Sequence, residues 1–271
     1  MMFHYQNIGE IQEEAKKEGV YLPFSMDTAP LKGSIRLEGK EIPNRIAIQP
    51  MEGCDGTADG KPDELTLRRY EKFAKSGAGL IWEEATAVWE EGRANPRQLW
   101  IKEENLDAFR AMNHRIREIS MRENGYVPLI LMQATHSGRY SKPHGVPEPL
   151  IACNNPIFEK DGPISQERIV SDDYLKRLVE RMGEAAYLAQ KAGFDGVDVK
   201  SCHRYLGSEL LSAFTRPGLF GGSFENRTRF LRESIMAARA RVSGSFLVTS
   251  RLNIYDGFPY PYGFGVNEKD G

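Results

Sequence analysis

Residues 194–232 read FDGVDVKSCHRYLGSELLSAFTRPGLFGGSFENRTRFLR. The stretch opens with a short apolar strand at 196–199. It then breaks into a polar cluster of Lys200, Cys202, His203 and Tyr205. A glycine-rich loop follows, and a helix begins near Glu225. Polar groups massed where a buried strand passes into a loop are what a binding or catalytic site in a strand–helix fold requires.

Working outward, the same alternation recurs on both sides. Upstream, residues 172–192 have the period of a helix, with Ser171 or Asp172 as N-cap and Gly193 as its stop. Before it lie a strand at 127–132 and a long loop at 134–171 rich in Pro, Gly and His. Further back come a helix at 105–123, a strand at 80–82, and a helix at 63–76 with Leu67 and Tyr70 on one face. A short strand at 46–50 precedes these, and 33–44 alternates around Gly39 as a β-hairpin does. Residues 8–18 are amphipathic. Downstream, 225–242 is helical and 246–252 is a strand. There is no internal repeat and no low-complexity tract.

Strands that are almost wholly apolar, separated by helices, imply a parallel sheet covered on both faces. The loops after the strands are long, which favours a TIM (β/α)8 barrel with its site at the strands' C-terminal ends. An open dinucleotide-binding sheet is the alternative, but no GxGxxG follows any strand. A closed barrel takes eight strand–helix units, and about five are legible here. The expectation is therefore an incomplete barrel at 33–271 behind an N-terminal extension at 1–32, an N-terminal fragment of a longer chain.

Composition sets the outer bounds. The chain has 271 residues, of which 40% are hydrophobic and 27% charged, the balance of a globular protein rather than a disordered one. A net charge of −2 offers no basic excess for a phosphate backbone, so nucleic acid is not an expected partner. Cys54, Cys153 and Cys202 form no CxxC, no paired framework and no metal-ligand pattern. They suit a reducing compartment. No apolar run approaches membrane-spanning length. A cytoplasmic setting is the default expectation.

Six motifs in order give the chain a recognisable pattern: NRIAIQPM (44–51), GLIWEEA (79–85), LILMQ with HSGR (129–133 and 136–139), GFDGVDV (193–199) with the cluster after it, GGSFENRTRF (221–230) and SRL (250–252). Together they resemble the old yellow enzyme family of flavin-dependent ene-reductases, including its 2,4-dienoyl-CoA reductase branch. The resemblance spans roughly residues 35–252. It implies a barrel holding FMN, reduced by NAD(P)H, that delivers hydride to an alkene conjugated with a carbonyl.

The resemblance also implies roles, which the residue chemistry suits. Arg251 would lie against the flavin N1–O2 edge as a fixed cation. Gln133 would bond the pyrimidine edge through its two-faced amide. Pro50, Met51 and Ala85 would pack on the ring, and Glu52 would stand near flavin O4, either pointing away or protonated. Lys200 and His203 would hold the substrate carbonyl, and Tyr205 would supply the proton. Three positions depart from the family pattern. Lys200 stands where the family has His, Glu52 where it often has Thr or Cys, and Arg204 where it generally has Gly.

Lys200 and Arg204 are expected to lower the Tyr205 pKa. Arg204 also suggests an anionic small-molecule substrate, such as a carboxylate or CoA ester. A homo-oligomer is compatible with the sequence. Cys54 and Cys202 read as small packing residues, and 221–230 as a helix start rather than a catalytic motif. Three other readings stay open: a flavin-free barrel piece serving as a binding or assembly subunit, Lys200 as a structural ion pair with Glu83 or Glu84, and Lys200 as a Schiff-base amine.

Overall fold

The computed structural model describes residues 4–269. The outermost residues of the two expected ranges, 1–3 and 270–271, lie outside it. The chain opens with α1 (Ile8–Lys17) and α2 (Ala29–Lys32), then forms the hairpin β1 (Ile35–Leu37) and β2 (Lys40–Ile42). A five-stranded sheet follows: β3 (Ala47–Ile48), β4 (Leu80–Ala87), β5 (Leu129–Thr135), β6 (Gly196–Val199) and β7 (Leu247–Thr249). Between these strands run α3 (Glu64–Lys75), α4 (Leu106–Asn124), α5 (Asp172–Lys191), α6 (Leu206–Leu211) and α7 (Phe224–Arg241).

Each strand of the larger sheet pairs in parallel with the next one in sequence. The helices gather on one face of the sheet. Tyr70 of α3, Phe109 of α4, Leu178 of α5 and Phe230 of α7 share one core with Ile81, Ile130 and Val197. The alternate residues Leu129, Leu131 and Leu247 pack instead with Leu80, Trp82 and Ile42. Sequential parallel order with helices on one side is an arc of a (β/α) barrel, since a doubly wound sheet carries helices on both faces. The sequence expectation of two covered faces holds in a narrower form, with a helical outer layer and an apolar inner face.

The helices end where their sequences say they should. Ser171 caps α5 by accepting a hydrogen bond from Tyr174 N, and Asp172 and Asp173 occupy its first turn. Ser223 caps α7 by accepting from Asn226 N. Under the sheet, Asp195 ties the hairpin to the barrel. Its carboxylate meets Lys40 at 3.2 Å and Arg117 at 2.8 Å, and accepts a hydrogen bond from Ile130 N at 3.0 Å.

Strand β4 runs five residues past the expected 80–82. The charged pair Glu83–Glu84 hides this continuation from an apolar-pattern reading. A bulge separates Glu83 from Ala85 in the pairing with β5. Glu84 accepts from Gly53 N at 2.8 Å and pairs with Arg69 at 2.8 Å. Burial holds the Glu83 carboxyl well above the ordinary carboxylate range.

Helix α6, expected as a glycine-rich loop, is short and wholly buried. Just before it, His203 and Arg204 adopt left-handed backbone, with φ of 61° and 59°, a conformation disfavoured for both side chains. Arg204 accounts for its retention. Its guanidinium pairs with Asp256 at 2.6 Å and donates to Ser212 Oγ at 2.9 Å. Phe158 and Phe258 sit against its guanidinium, and their rings meet edge to face at 5.3 Å. Asp256 also accepts from Phe264 N at 2.9 Å. The segment after β7 is thereby fastened to the loop that carries the polar cluster. Arg204 is consumed in this clamp, which corrects the expectation that it meets an anionic substrate.

Among the described residues, no helix is long and apolar enough to cross a membrane.

Two substitutions test this framework. A Cβ on Gly196 would sit 2.7 Å from Leu131 Cδ2 and from the backbone oxygen of Leu247. Gly196→Ala should therefore lower unfolding free energy by about 1–3 kcal/mol in urea titration. Asp256→Asn leaves the buried Arg204 charge unpaired and should lower it by about 3 kcal/mol. An unchanged urea midpoint in either variant would contradict the packing described.

Candidate active site

The C-terminal ends of β3 to β7 bring most of the expected residues together. Lys200 follows β6 directly, and its side chain is 3% exposed. Its Nζ lies 3.1 Å from Glu52 Oε1, on the loop after β3. Tyr205, the residue before α6, donates its hydroxyl to that same oxygen at 2.8 Å. Lys200 Nζ also stands 3.7 Å from the Tyr205 ring centroid, a cation–π contact. Glu52 thus neither points away nor stands alone, and it closes a three-residue cluster. The partner of Lys200 is Glu52, not Glu83 or Glu84.

This arrangement reverses one electrostatic expectation. Burial and the Glu52 carboxylate hold the Tyr205 phenol well above its ordinary value. Arg204 points to Asp256 instead of Tyr205. Burial lowers the Lys200 ammonium, against the opposing pull of Glu52.

One strand over, Gln133 Nε2 donates to Asp198 Oδ2 at 2.6 Å, both side chains being fully buried. Gln133 Oε1 has no hydrogen-bond partner among the described residues. Burial pushes the Asp198 carboxyl up to about 6, against hydrogen bonds from the Gln133 amide and the Arg251 backbone N–H. Arg251 lies alongside because its carbonyl accepts from Ser201 N at 2.9 Å. Its half-buried guanidinium has no hydrogen-bond or ion-pair partner among the described residues.

The remaining candidates fall as follows. Ala85 lies in register with Gln133, and its carbonyl accepts from Gln98 Nε2 at 2.8 Å. Pro50 is buried, whereas Met51 is 74% exposed. His203 is exposed at the mouth. Cys202 is buried as expected, but Cys54 is exposed, so it is not a packing residue. The sequence reading missed Asp198, although a lone carboxylate inside an apolar strand is a signal. It also missed Asp256, which follows the last strand in a stretch without pattern.

The unbonded Gln133 Oε1, the buried Asp198 carboxyl and an Arg251 guanidinium without an ion-pair partner among the described residues make an incomplete hydrogen-bonding set. It presents acceptors and a cation, the set that a planar heterocycle with both N–H and carbonyl edges would complete. The residues fit a flavin ring in this sense.

Comparison with known proteins agrees. A sequence model of the NADH:flavin oxidoreductase / NADH oxidase family matches residues 31–262. An NADPH dehydrogenase of Bacillus pumilus is 33% identical over 234 residues, covering 81% of this chain and 65% of that protein. The NADPH dehydrogenase of Bacillus subtilis is 30% identical, covering 82% of this chain and 66% of that protein. The chain thus spans just under two thirds of the length of such relatives. Morphinone reductase in complex with tetrahydroNAD superposes with a TM-score of 0.66 at 28% identity, over 82% of this chain and 63% of that one. Old yellow enzyme from Pichia sp. has the same fold, with a TM-score of 0.72 at 24% identity over 84% of this chain and 61% of that one. The chain belongs to the NADH:flavin oxidoreductase / NADH oxidase family, the family of the old yellow enzymes.

Proposed function

We propose that the complete protein is a flavin-dependent oxidoreductase that moves hydride from NAD(P)H to a C=C conjugated with a carbonyl. The observation that carries this reading is the set at the strand ends: the unbonded Gln133 Oε1, the buried Asp198 carboxyl and an Arg251 guanidinium without an ion-pair partner among the described residues. Bound FMN would supply the two-electron relay between the nicotinamide and the alkene.

Gln133 and Arg251 would hold that group. By taking the Gln133 amide N–H, Asp198 leaves Gln133 Oε1 as a hydrogen-bond acceptor toward the ligand. Arg251 would lend a fixed positive charge that stabilises an anionic ring edge. Pro50, Met51, Glu52 and Ala85 would line its near side.

His203 and Lys200 would meet the substrate carbonyl and stabilise oxyanion charge as it develops. Tyr205 would give its proton to the α-carbon. That transfer leaves a phenolate beside Glu52, 2.8 Å away. Lys200 touches both the carboxylate and the ring, so it offsets the second negative charge. The departures at positions 52 and 200 thus act as a pair.

The test uses the full-length protein loaded with FMN and reduced anaerobically by NADPH, with 2-cyclohexenone as acceptor. The flavin should bleach and then recolour as the alkene is consumed. Tyr205→Phe should keep the bleaching and slow the second phase by about 10²- to 10⁴-fold. Absence of bleaching would overturn the reading, and an unchanged second phase would remove Tyr205 from it.

Asp198 makes a separate, activity-free prediction. Its folded pKa of about 6 exceeds the ordinary 3.8. Its contribution to stability is therefore fully present below the lower value and lost as pH rises through the higher one. Relative to Asp198→Asn, the parent should lose about 2–3 kcal/mol between those limits. Parallel stability–pH curves would contradict the burial assigned to this carboxyl.

A further inference from the structure

The proposed reduction uses Lys200 only as a hydrogen-bond donor, and its surroundings suit a covalent role. We propose that Lys200 is a carbonyl-capturing amine that condenses with a small aldehyde or ketone to form an iminium, with Glu52 carrying the protons.

Four features place the chemistry there. The amine stands at the C-terminal end of a barrel strand, where such folds build their sites. Glu52 Oε1 lies 3.1 Å from Nζ, within reach for direct proton transfer. The surroundings are dry. The Lys200 side chain is 3% exposed, whereas the other ion-paired lysines, Lys40, Lys61, Lys176 and Lys191, are 22% exposed or more. Finally, Met51, beside Glu52 in sequence, and His203, three residues from Lys200, are both exposed. Burial also favours the neutral amine, the nucleophilic form.

The step balances as follows. The Lys200 ammonium passes one proton to Glu52. The free amine then attacks the carbonyl carbon, forming a C–N bond while the C=O π pair moves to oxygen. Glu52 returns its proton to that oxygen and then accepts a second proton from the nitrogen. Delivery of this second proton lets the oxygen leave as water, and the nitrogen lone pair closes the C=N⁺ bond. The net change is ammonium plus carbonyl to iminium plus water, with no proton gained or lost and no oxidant. Tyr205, bonded to the same Glu52 oxygen, fixes the carboxylate during the exchange.

The capture requires neither flavin nor nicotinamide, so its outcome is separable from that of the redox reading. The experiment treats the full chain with hexanal and sodium cyanoborohydride at neutral pH, followed by peptide mass mapping. An N-hexyl group should appear on Lys200 several-fold faster than on Lys176, although Lys176 is far more exposed, because Glu52 beside Lys200 Nζ carries the protons. Glu52→Gln should slow labelling at Lys200 by about tenfold or more, because it removes the proton carrier. Lys200→Arg should remove the label from that peptide. Labelling that follows exposure, with Lys200 unmodified or slower than Lys176, would overturn the proposal. So would Glu52→Gln labelling as fast as the parent. The comparison of the two lysines in the unaltered protein decides the matter even if a variant fails to fold.

Discussion

A single carboxylate oxygen, Glu52 Oε1, takes a hydrogen bond from Tyr205 and faces the ammonium of Lys200. Glu52 follows the first strand of the sheet, Lys200 ends the fourth and Tyr205 opens the helix after it. The contact therefore spans the mouth of the arc and joins segments that are 148 and 153 residues apart. A buried lysine is costly unless its charge is matched and its protons are placed. Lys200 therefore needs the Glu52 carboxylate beside it, and the two residues act as one unit.

The rest of the mouth depends on a second constraint, the backbone between Lys200 and Tyr205. Two consecutive left-handed residues there turn the chain sharply enough to bring the Tyr205 hydroxyl back over Glu52. Arg204 holds that turn through Asp256 and Ser212, and its aromatic neighbours keep water from the ion pair. Strain at a site persists only where the surroundings over-determine it. Here the surroundings are a segment some fifty residues further on, folded back by one buried carboxylate. On the inner side stand Gln133, Asp198 and Arg251. They are the part of the mouth that we propose meets a ligand.

The architecture was legible in the sequence because buried parallel strands leave an apolar signature that helices interrupt with a different period. The strands around Ile130 and Val197, and the helices capped by Ser171 and stopped by Gly193, follow directly from that pattern. It failed where charge entered a strand. Glu83 and Glu84 concealed more than half of β4, and the buried pair Gln133–Asp198 gave no local sign of being a pair. The site residues were nameable one by one, but their partners were not. Nothing within a few positions of Lys200 indicates Glu52, and nothing near Arg204 indicates Asp256. Ion pairs between distant segments are set by the closed geometry of the sheet, which no local window contains.

The unbonded Gln133 Oε1, the Asp198 carboxyl and the Arg251 guanidinium are the groups we propose hold a flavin ring. Lumiflavin, which has the ring without a phosphate, probes those groups alone. Titration of its fluorescence with this chain should give a saturable change, weakened about tenfold or more by Arg251→Ala, the loss expected on removing one charge-assisted contact. Equal binding by parent and variant, or no saturable change with the parent, would contradict the account.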